Sequence, residues 1–292
     1  MEGSRLQKSM YDLILRTCTV LPRDIADALE KAFAKEQNGS IAQETLGIIM
    51  KSAASSYEKG LPICQDTGAL LAIIETRPDK SVFLIEEAII DALKALTNEG
   101  LLRQNCVDPV TGKNTLDNTG AYVPQIHFEP SHGPTRISIM LKGGGSENMS
   151  TQYSLPLERI QALRDMEGVR RCILDAVHQA QGHGCAPGIL GICIGGDRAS
   201  GYLAAKKQLF RKLGDANPSP VLASLEQTIL QEANSLGIGP MGLGGETTLL
   251  GVKVCAAGRH PASYFVTVSY SCWATRRFTV ELTDEGEVRE WI

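Results

Sequence analysis

The sequence predicts a mixed α+β fold in one body of 292 residues. A helical N-terminal third (about 1–100) leads into a mixed β-sheet with packed helices (about 101–292). Three observations carry that prediction. Apolar residues recur at helical spacing through the first hundred positions. Beyond them the chain turns to short alternating or continuous apolar runs of the kind that make strands. Four glycine-rich joints punctuate those runs. With 43% hydrophobic and 21% charged residues the chain can bury a sizeable core, which excludes intrinsic disorder.

Pro22 to Glu36 places Ile25, Leu29, Ala32 and Phe33 on one stripe, with proline near the start, where its missing N–H costs little. Ser40-Ile-Ala-Gln43 is a capping-box pattern opening a helix that runs to Lys59 and stops at Gly60. Leu61 to Gly68 is too short and turn-rich for either element and forms a loop into a strand at Ala69–Ile74. A third helix spans Phe83–Asn98 and closes at Gly100. Arg136–Leu141 alternates as a strand and runs into the joint Lys142–Met149. Then come a helix over 157–179, the joint Gly184–Gly188, a buried strand at Ile189–Ile194 and the pair Gly195-Gly196. Helices at 202–213 and 221–236 precede the joint Gly237–Gly245 and a strand at 247–254. Strands at 264–270 and 278–282 flank the segment Ser271–Arg277.

A formal charge of -4 with no run of Lys or Arg argues against nucleic-acid binding. The longest uncharged stretch, Ala176–Gly196, holds two histidines and Pro187 and is no membrane span. The opening MEGSRLQKSMYDLIL has no apolar segment followed by a small-residue cleavage site, so a cytoplasmic location is expected. The eight cysteines should then stay reduced.

Glycine is required where the backbone takes positive φ or approaches a ligand closely. Four such joints after strands suggest Gly-rich loops lining one site, although each alone would serve as a tight turn. None matches a phosphate-binding fingerprint. Cys64, Cys185 and Cys272 lie in joints or flanking loops among polar neighbours, whereas Cys18, Cys172, Cys193 and Cys255 sit in apolar elements as core filler. Cys106 lies in a polar loop. No C-x-x-C occurs, so spacing leaves each joint thiol open as filler, nucleophile or metal ligand.

Several segments together carry a resemblance: Ile63-Cys-Gln-Asp-Thr-Gly68, Arg103-Gln-Asn-Cys-Val-Asp-Pro109, Asn114–Asn118, Lys142-Gly-Gly-Gly-Ser-Glu-Asn148, Gly239–Gly245, and Arg259-His-Pro261 followed by Cys272-Trp-Ala. In this order, from about residue 20 to 280, the chain resembles the class I fumarate hydratases. It is most similar to the alpha subunit of the two-subunit form, to which L(+)-tartrate dehydratase is related. One departure is Cys185-Ala-Pro187, where relatives commonly carry Cys-Pro-Pro.

The resemblance implies a [4Fe-4S] cluster held by Cys64, Cys185 and Cys272, with one iron left open for a small dicarboxylate substrate. It implies catalytic roles for Asp66, Gln65 and His260, a carboxylate clamp at Arg103, and backbone contacts to substrate at Gly144 and Gly145. Asp66 would move the proton or orient the group that does. A separate beta subunit would complete an alpha-beta heteromer of higher order. Ser146-Glu-Asn148 favours fumarate and malate, while Cys272-Trp-Ala with its basic pair is shared with the tartrate enzymes. A non-catalytic binding protein on the same fold and a zinc hydrolase are the competing readings, separable by the colour of anaerobic protein.

Overall fold

The computed structural model describes residues 2–292. In chain order the helices are α1 (Glu2–Thr19), α2 (Arg23–Lys35), α3 (Ile41–Lys59), α4 (Val82–Asn98), α5 (Gly144–Asn148), α6 (Met166–Ala180), α7 (Arg198–Gln208) and α8 (Pro220–Ser235). The strands are β1 (Ala69–Thr76), β2 (Gln125–Pro130), β3 (Arg136–Lys142), β4 (Thr151–Ser154), β5 (Gly188–Gly195), β6 (Leu249–Ala257), β7 (Phe265–Ser271), β8 (Arg276–Leu282) and β9 (Val288–Trp291). Helices and mixed sheets bear out the α+β class. Backbone contacts divide the chain into two compact units, one formed by 1–22, 52–144 and 274–292, the other by 23–51 and 145–273. The helical first hundred residues are therefore shared between the units.

The first unit holds a five-stranded sheet in the order β2-β1-β3-β8-β9, in which only β1 and β2 pair in parallel. One face is lined by Leu70, Ala72 and Ile74 of β1, Ile137 and Ile139 of β3 and Val280 of β8. It packs against Met10, Leu13 and Ile14 of α1 and against Ile85, Ile89, Leu93 and Leu96 of α4. Those α4 positions recur every three or four residues because one helical stripe must meet the sheet. Each fully buried aliphatic side chain contributes roughly 1.5–3 kcal/mol.

The second unit holds a four-stranded sheet in the order β4-β7-β5-β6, with β5 and β6 parallel and the other pairs antiparallel. β5 is buried along its whole length. Its residues Leu190, Ile192 and Ile194 face a core shared with Val169 and Ile173 of α6 and Ile229 of α8. The opposite face lies under α7, where a Cβ on Gly191 would come within 2.1 Å of the Ala205 carbonyl oxygen. The helix approaches this closely because position 191 has no side chain. At the end of α2 the buried Glu36 carboxylate accepts backbone N–H groups of Glu246 and Thr247 at 2.9–3.0 Å and fixes the entry to β6.

Most expected elements stand within a few residues, and the departures have local causes. In place of a helix from 157, a 3-10 turn at Glu158–Ile160 ends on Gln161 at φ 52, and α6 starts only where the Asp165 carboxylate accepts the Gly168 N–H. α7 begins at Arg198 rather than 202 because Asp197 and Ser200 form a reciprocal capping box. The expected box at Ser40 is half present. The Ser40 hydroxyl accepts the Gln43 N–H at 3.2 Å, but the Gln43 side chain accepts from Gly39 rather than Ser40. The short helix α5 stands where only a glycine-rich joint was expected, and β2, β4 and β9 are additional strands. No helix among the described residues is long and apolar enough to cross a membrane.

Candidate functional site

In the first unit the loop before β1 presents Cys64 and Asp66 half-buried and Gln65 exposed. The Asp66 carboxylate is held from two sides: Oδ1 accepts the Gly68 N–H at 3.0 Å, and Oδ2 accepts the Gly144 N–H, the first of α5, at 2.7 Å. Both contacts depend on missing side chains. Gly68 has φ +83 and lies against the Lys142 backbone, where a Cβ would meet atoms at 2.8 Å, and a Cβ on Gly143 would stand 3.1 Å from Asp66 Oδ2. The Gly144 N–H is thus engaged by Asp66.

Beneath the loop lies Arg276, opposite Leu141 in the β3–β8 ladder and 1% exposed. Its Nη1 donates to the Asp66 carbonyl at 2.9 Å, while its Nε finds no hydrogen-bond partner. In the sequence Arg276 stands out only as half of a basic pair. Its burial, which gives it meaning, is not visible in composition.

Arg103 is joined to the same loop through its backbone. Its N–H donates to Thr67 Oγ1 at 3.0 Å, and Asn105 Nδ2 donates to that same hydroxyl at 3.1 Å. Asn118, buried at φ 62, anchors the returning segment by accepting the Asn105 N–H at 2.6 Å and donating to the Arg103 carbonyl at 2.7 Å. The Arg103 side chain is exposed, and its residue borders an open hollow of about 360 Å³ with Thr97, Gly100 and Gln104. Thr67, Asn105 and Asn118 hold this loop and are not distinguished by residue type in the sequence. Their signal was their presence in the motifs that carry the resemblance.

The second unit holds Cys185 and Cys272, both half-buried. Cys185 occupies a tight turn at φ 53, and its carbonyl accepts the Trp273 N–H at 3.3 Å, which binds the two cysteine loops together. Tyr270, 2% exposed, fills the space beside them. A Cβ on Gly184 or on Gly188 would come within 2.4 Å of its ring or hydroxyl. Burial first, then the nearby thiols of Cys272 and Cys185, pushes the Tyr270 phenol above its ordinary pKa, so both sulfurs stand near one ring. Gly145 borders this unit's His183 carbonyl, 3.9 Å from where its Cβ would be.

His260 lies in the exposed loop between β6 and β7. Its Nδ1 accepts the Ala262 N–H at 3.1 Å and its carbonyl accepts from Arg259 Nη1 at 3.2 Å. The ring therefore carries its proton on Nε2 when neutral. All eight cysteines are reduced. Among the described residues no three His, Cys, Asp or Glu side chains form a group that could hold a metal ion. A hollow of about 210 Å³ lies among Leu6, Leu84 and Leu282 and touches none of the candidate residues.

A family model described as fumarate hydratase (Fumerase) matches residues 7–281. A protein of Geobacillus stearothermophilus named fumarate hydratase class I is 46% identical across 99% of this chain, which spans 57% of that relative's length. A Methanocaldococcus jannaschii protein named L(+)-tartrate dehydratase subunit alpha is 35% identical over 94% of this chain and 96% of its own. The L(+)-tartrate dehydratase subunit alpha of Escherichia coli K12 is 29% identical over 95% of this chain. With a model match over nearly the whole chain and the Asp66 and Cys185 loops folded as described, this chain belongs to the fumarate hydratase (Fumerase) family.

Proposed function

We propose that the chain is the alpha-type subunit of a [4Fe-4S] hydro-lyase that interconverts fumarate and malate and works together with a beta subunit. The observation that carries this reading is the doubly tethered Asp66 carboxylate next to Cys64, with a buried arginine under its carbonyl. A structural turn needs one such tether; two, on opposite oxygens, fix the carboxylate plane.

Converting malate to fumarate removes a C–H proton beside one carboxylate and expels hydroxide from the neighbouring carbon. The chain's own residues suit parts of that task. Each Asp66 oxygen keeps a lone pair after accepting one backbone N–H, so the carboxylate can take the proton or hold the group that takes it. Arg103, with its backbone fixed through Thr67 and its fork exposed, would clamp a substrate carboxylate through two parallel hydrogen bonds. Gln65, exposed beside Asp66, would orient the substrate hydroxyl. His260 would donate through Nε2, since Nδ1 is engaged.

The donor chemistry fits an iron–sulfur cluster. Reduced, half-buried thiols stand in loops, and the Cys185 turn is shaped by glycines on which a side chain would strike Tyr270. Cys185 and Cys272 would hold the cluster with Cys64. When bound, such a cluster supplies a Lewis-acidic iron that assists hydroxide departure.

Fumarate is preferred over tartrate because the relative named for fumarate is 46% identical, against 35% and 29% for those named for tartrate. The alpha-subunit names of the latter support a separate partner chain. The test is anaerobic co-purification with the beta subunit, iron and sulfide analysis, and turnover of malate and L(+)-tartrate. Expected are a brown, air-bleached complex that prefers malate and a loss of at least about 100-fold in kcat for Asp66→Asn. Preference for tartrate would favour the second reading, and colourless, iron-free, inactive complex would overturn both.

A further inference from the structure

Two cysteines that the proposed reaction leaves unused face each other across paired strands. Cys193 of β5 is in register with Cys255 of β6 in a parallel pair, so both side chains project to one face of the sheet. That face is the one beneath α7: Cys255 Sγ lies 3.9 Å from the Ala204 carbonyl oxygen. Cys193 is 0% exposed, whereas Cys255 is half-buried at the point where β6 emerges and Ala256 and Ala257 reach solvent.

The two thiols are cross-strand neighbours on that face. Hydrogen bonding from the neighbouring Cys193 thiol is the main influence holding the Cys255 thiol below its ordinary pKa. Burial opposes it, and the Arg211 and Lys207 cations assist. Cys193 is raised correspondingly, first by the same bond and then by burial. A partly exposed sulfur near cations and already hydrogen-bonded by a second thiol has the surroundings of a reactive cysteine. The remaining core thiols differ. Cys18 donates to the Leu101 carbonyl at 3.4 Å, and burial lifts Cys18 to about 11 and Cys172 to about 12.

We propose that Cys193 and Cys255 form an oxidisable dithiol site for small hydroperoxides, with Cys255 as the attacking sulfur and Cys193 as the resolving one. The Cys255 thiolate attacks the outer oxygen of ROOH, the O–O bond breaks, and ROH leaves after taking a proton, giving the sulfenic acid. The Cys193 sulfur then displaces the sulfenic oxygen as water, and the S–S bond forms. The two thiols lose two electrons in total, and the peroxide is reduced to ROH and water. Neighbouring strands lie about 4.8 Å apart. That falls within the span of about 4.4–6.8 Å between Cα atoms that disulfides bridge, so the bond closes without re-registering the sheet.

The proposal uses neither the cluster thiols nor Asp66 and stands apart from the hydro-lyase reading. Its test treats the full reduced chain with one equivalent of hydrogen peroxide, quenches with an alkylating agent and maps cysteine peptides by fragmentation mass spectrometry. The expected product is a Cys193–Cys255 linkage that dithiothreitol reverses and Cys172→Ser leaves in place. In Cys193→Ser, Cys255 should instead be trapped by dimedone. Before oxidation, Cys255 should alkylate about tenfold faster than Cys18 at neutral pH. The unsubstituted protein alone decides the matter. No linkage, or a bond from Cys255 to a different cysteine, overturns the proposal. So does alkylation of Cys255 no faster than that of Cys18.

Discussion

The two units hold their candidate loops by different physics. In the first, the loop from Cys64 to Gly68 is fixed by hydrogen bonds of the polar side chains Asp66, Thr67, Asn105, Asn118 and Arg276, most of them to backbone groups. In the second, the Cys185 turn is fixed by close packing of Gly184 and Gly188 against one buried tyrosine ring. A hydrogen-bonded loop can exchange one partner for water where it meets solvent, so single losses should be moderate. A packed loop has no such recourse, because interiors are as dense as organic crystals. The difference suits the proposed tasks: a carboxylate that moves protons needs aimed lone pairs, whereas thiolates that hold a cluster need a rigid turn.

The largest effect should come from overfilling the packed loop. Gly188→Ala places a methyl 2.4 Å from the Tyr270 ring and hydroxyl. Tyr270 is 2% exposed and cannot swing away, so a loss of about 3 kcal/mol is expected in urea unfolding. Adding Tyr270→Ala should recover part of it, giving a coupling of about 1 kcal/mol or more. Simple additivity would mean that the contact does not set the turn.

Asn118→Ala tests the polar loop at its most buried point. It removes the acceptor for Asn105 and the donor to Arg103, and it puts alanine at φ 62. A cost of about 2 kcal/mol is expected, and Asn118→Gly should cost less because glycine tolerates that φ. Equal costs for the two would assign the effect wholly to the lost bonds.

Alkaline pH should weaken both units through a core thiol in each. Burial raises Cys18 to about 11 and Cys172 to about 12, above the ordinary thiol range. The unfolded thiols ionise first, so the folded state binds more protons between those limits and stability falls as pH rises. The contribution is fully present below about pH 9. It declines up to pH 11 for Cys18 and 12 for Cys172, by about 1–2 kcal/mol each after allowance for partial solvation. Urea midpoints from pH 8 to 11 check the slope, which Cys18→Ser and Cys172→Ser should each flatten.

The same contrast explains what could be read from sequence. β3, α2 and α4 are legible because their apolar residues recur at one period, and β1 and β5 because each is a continuous apolar run. β2 (Gln-Ile-His-Phe-Glu-Pro) sits at a sheet edge, half-exposed and ending in proline, and β4 is a four-residue edge strand. Neither carries enough periodic signal. The apolar part of α7 begins only at Tyr202 and Leu203, while its start is set by the Asp197 and Ser200 side chains. In the candidate site Cys64, Asp66, Cys185 and Cys272 stood out as reactive types in turns. Arg276 and Tyr270 did not, because they act through burial and approach, which depend on residues distant in sequence.

The smallest effect on stability should be Asp66→Asn, and it separates holding from chemistry. The carboxamide keeps the shape of the side chain, and its one oxygen can still accept the Gly68 N–H. The NH2 that replaces Oδ2 then meets the Gly144 N–H donor to donor, and the 2.7 Å bond is lost. Because Asp66 is only half-buried, water can serve the freed N–H, and the cost should be about 1 kcal/mol, less than that of Asn118→Ala. Thermal unfolding of the variant beside the unsubstituted chain measures it. A loss as large as that of Gly188→Ala would show that Asp66 is chiefly a structural tether. A loss near 1 kcal/mol together with a collapse in turnover would place its importance in proton chemistry, because a merely tethering carboxylate loses stability and activity in step.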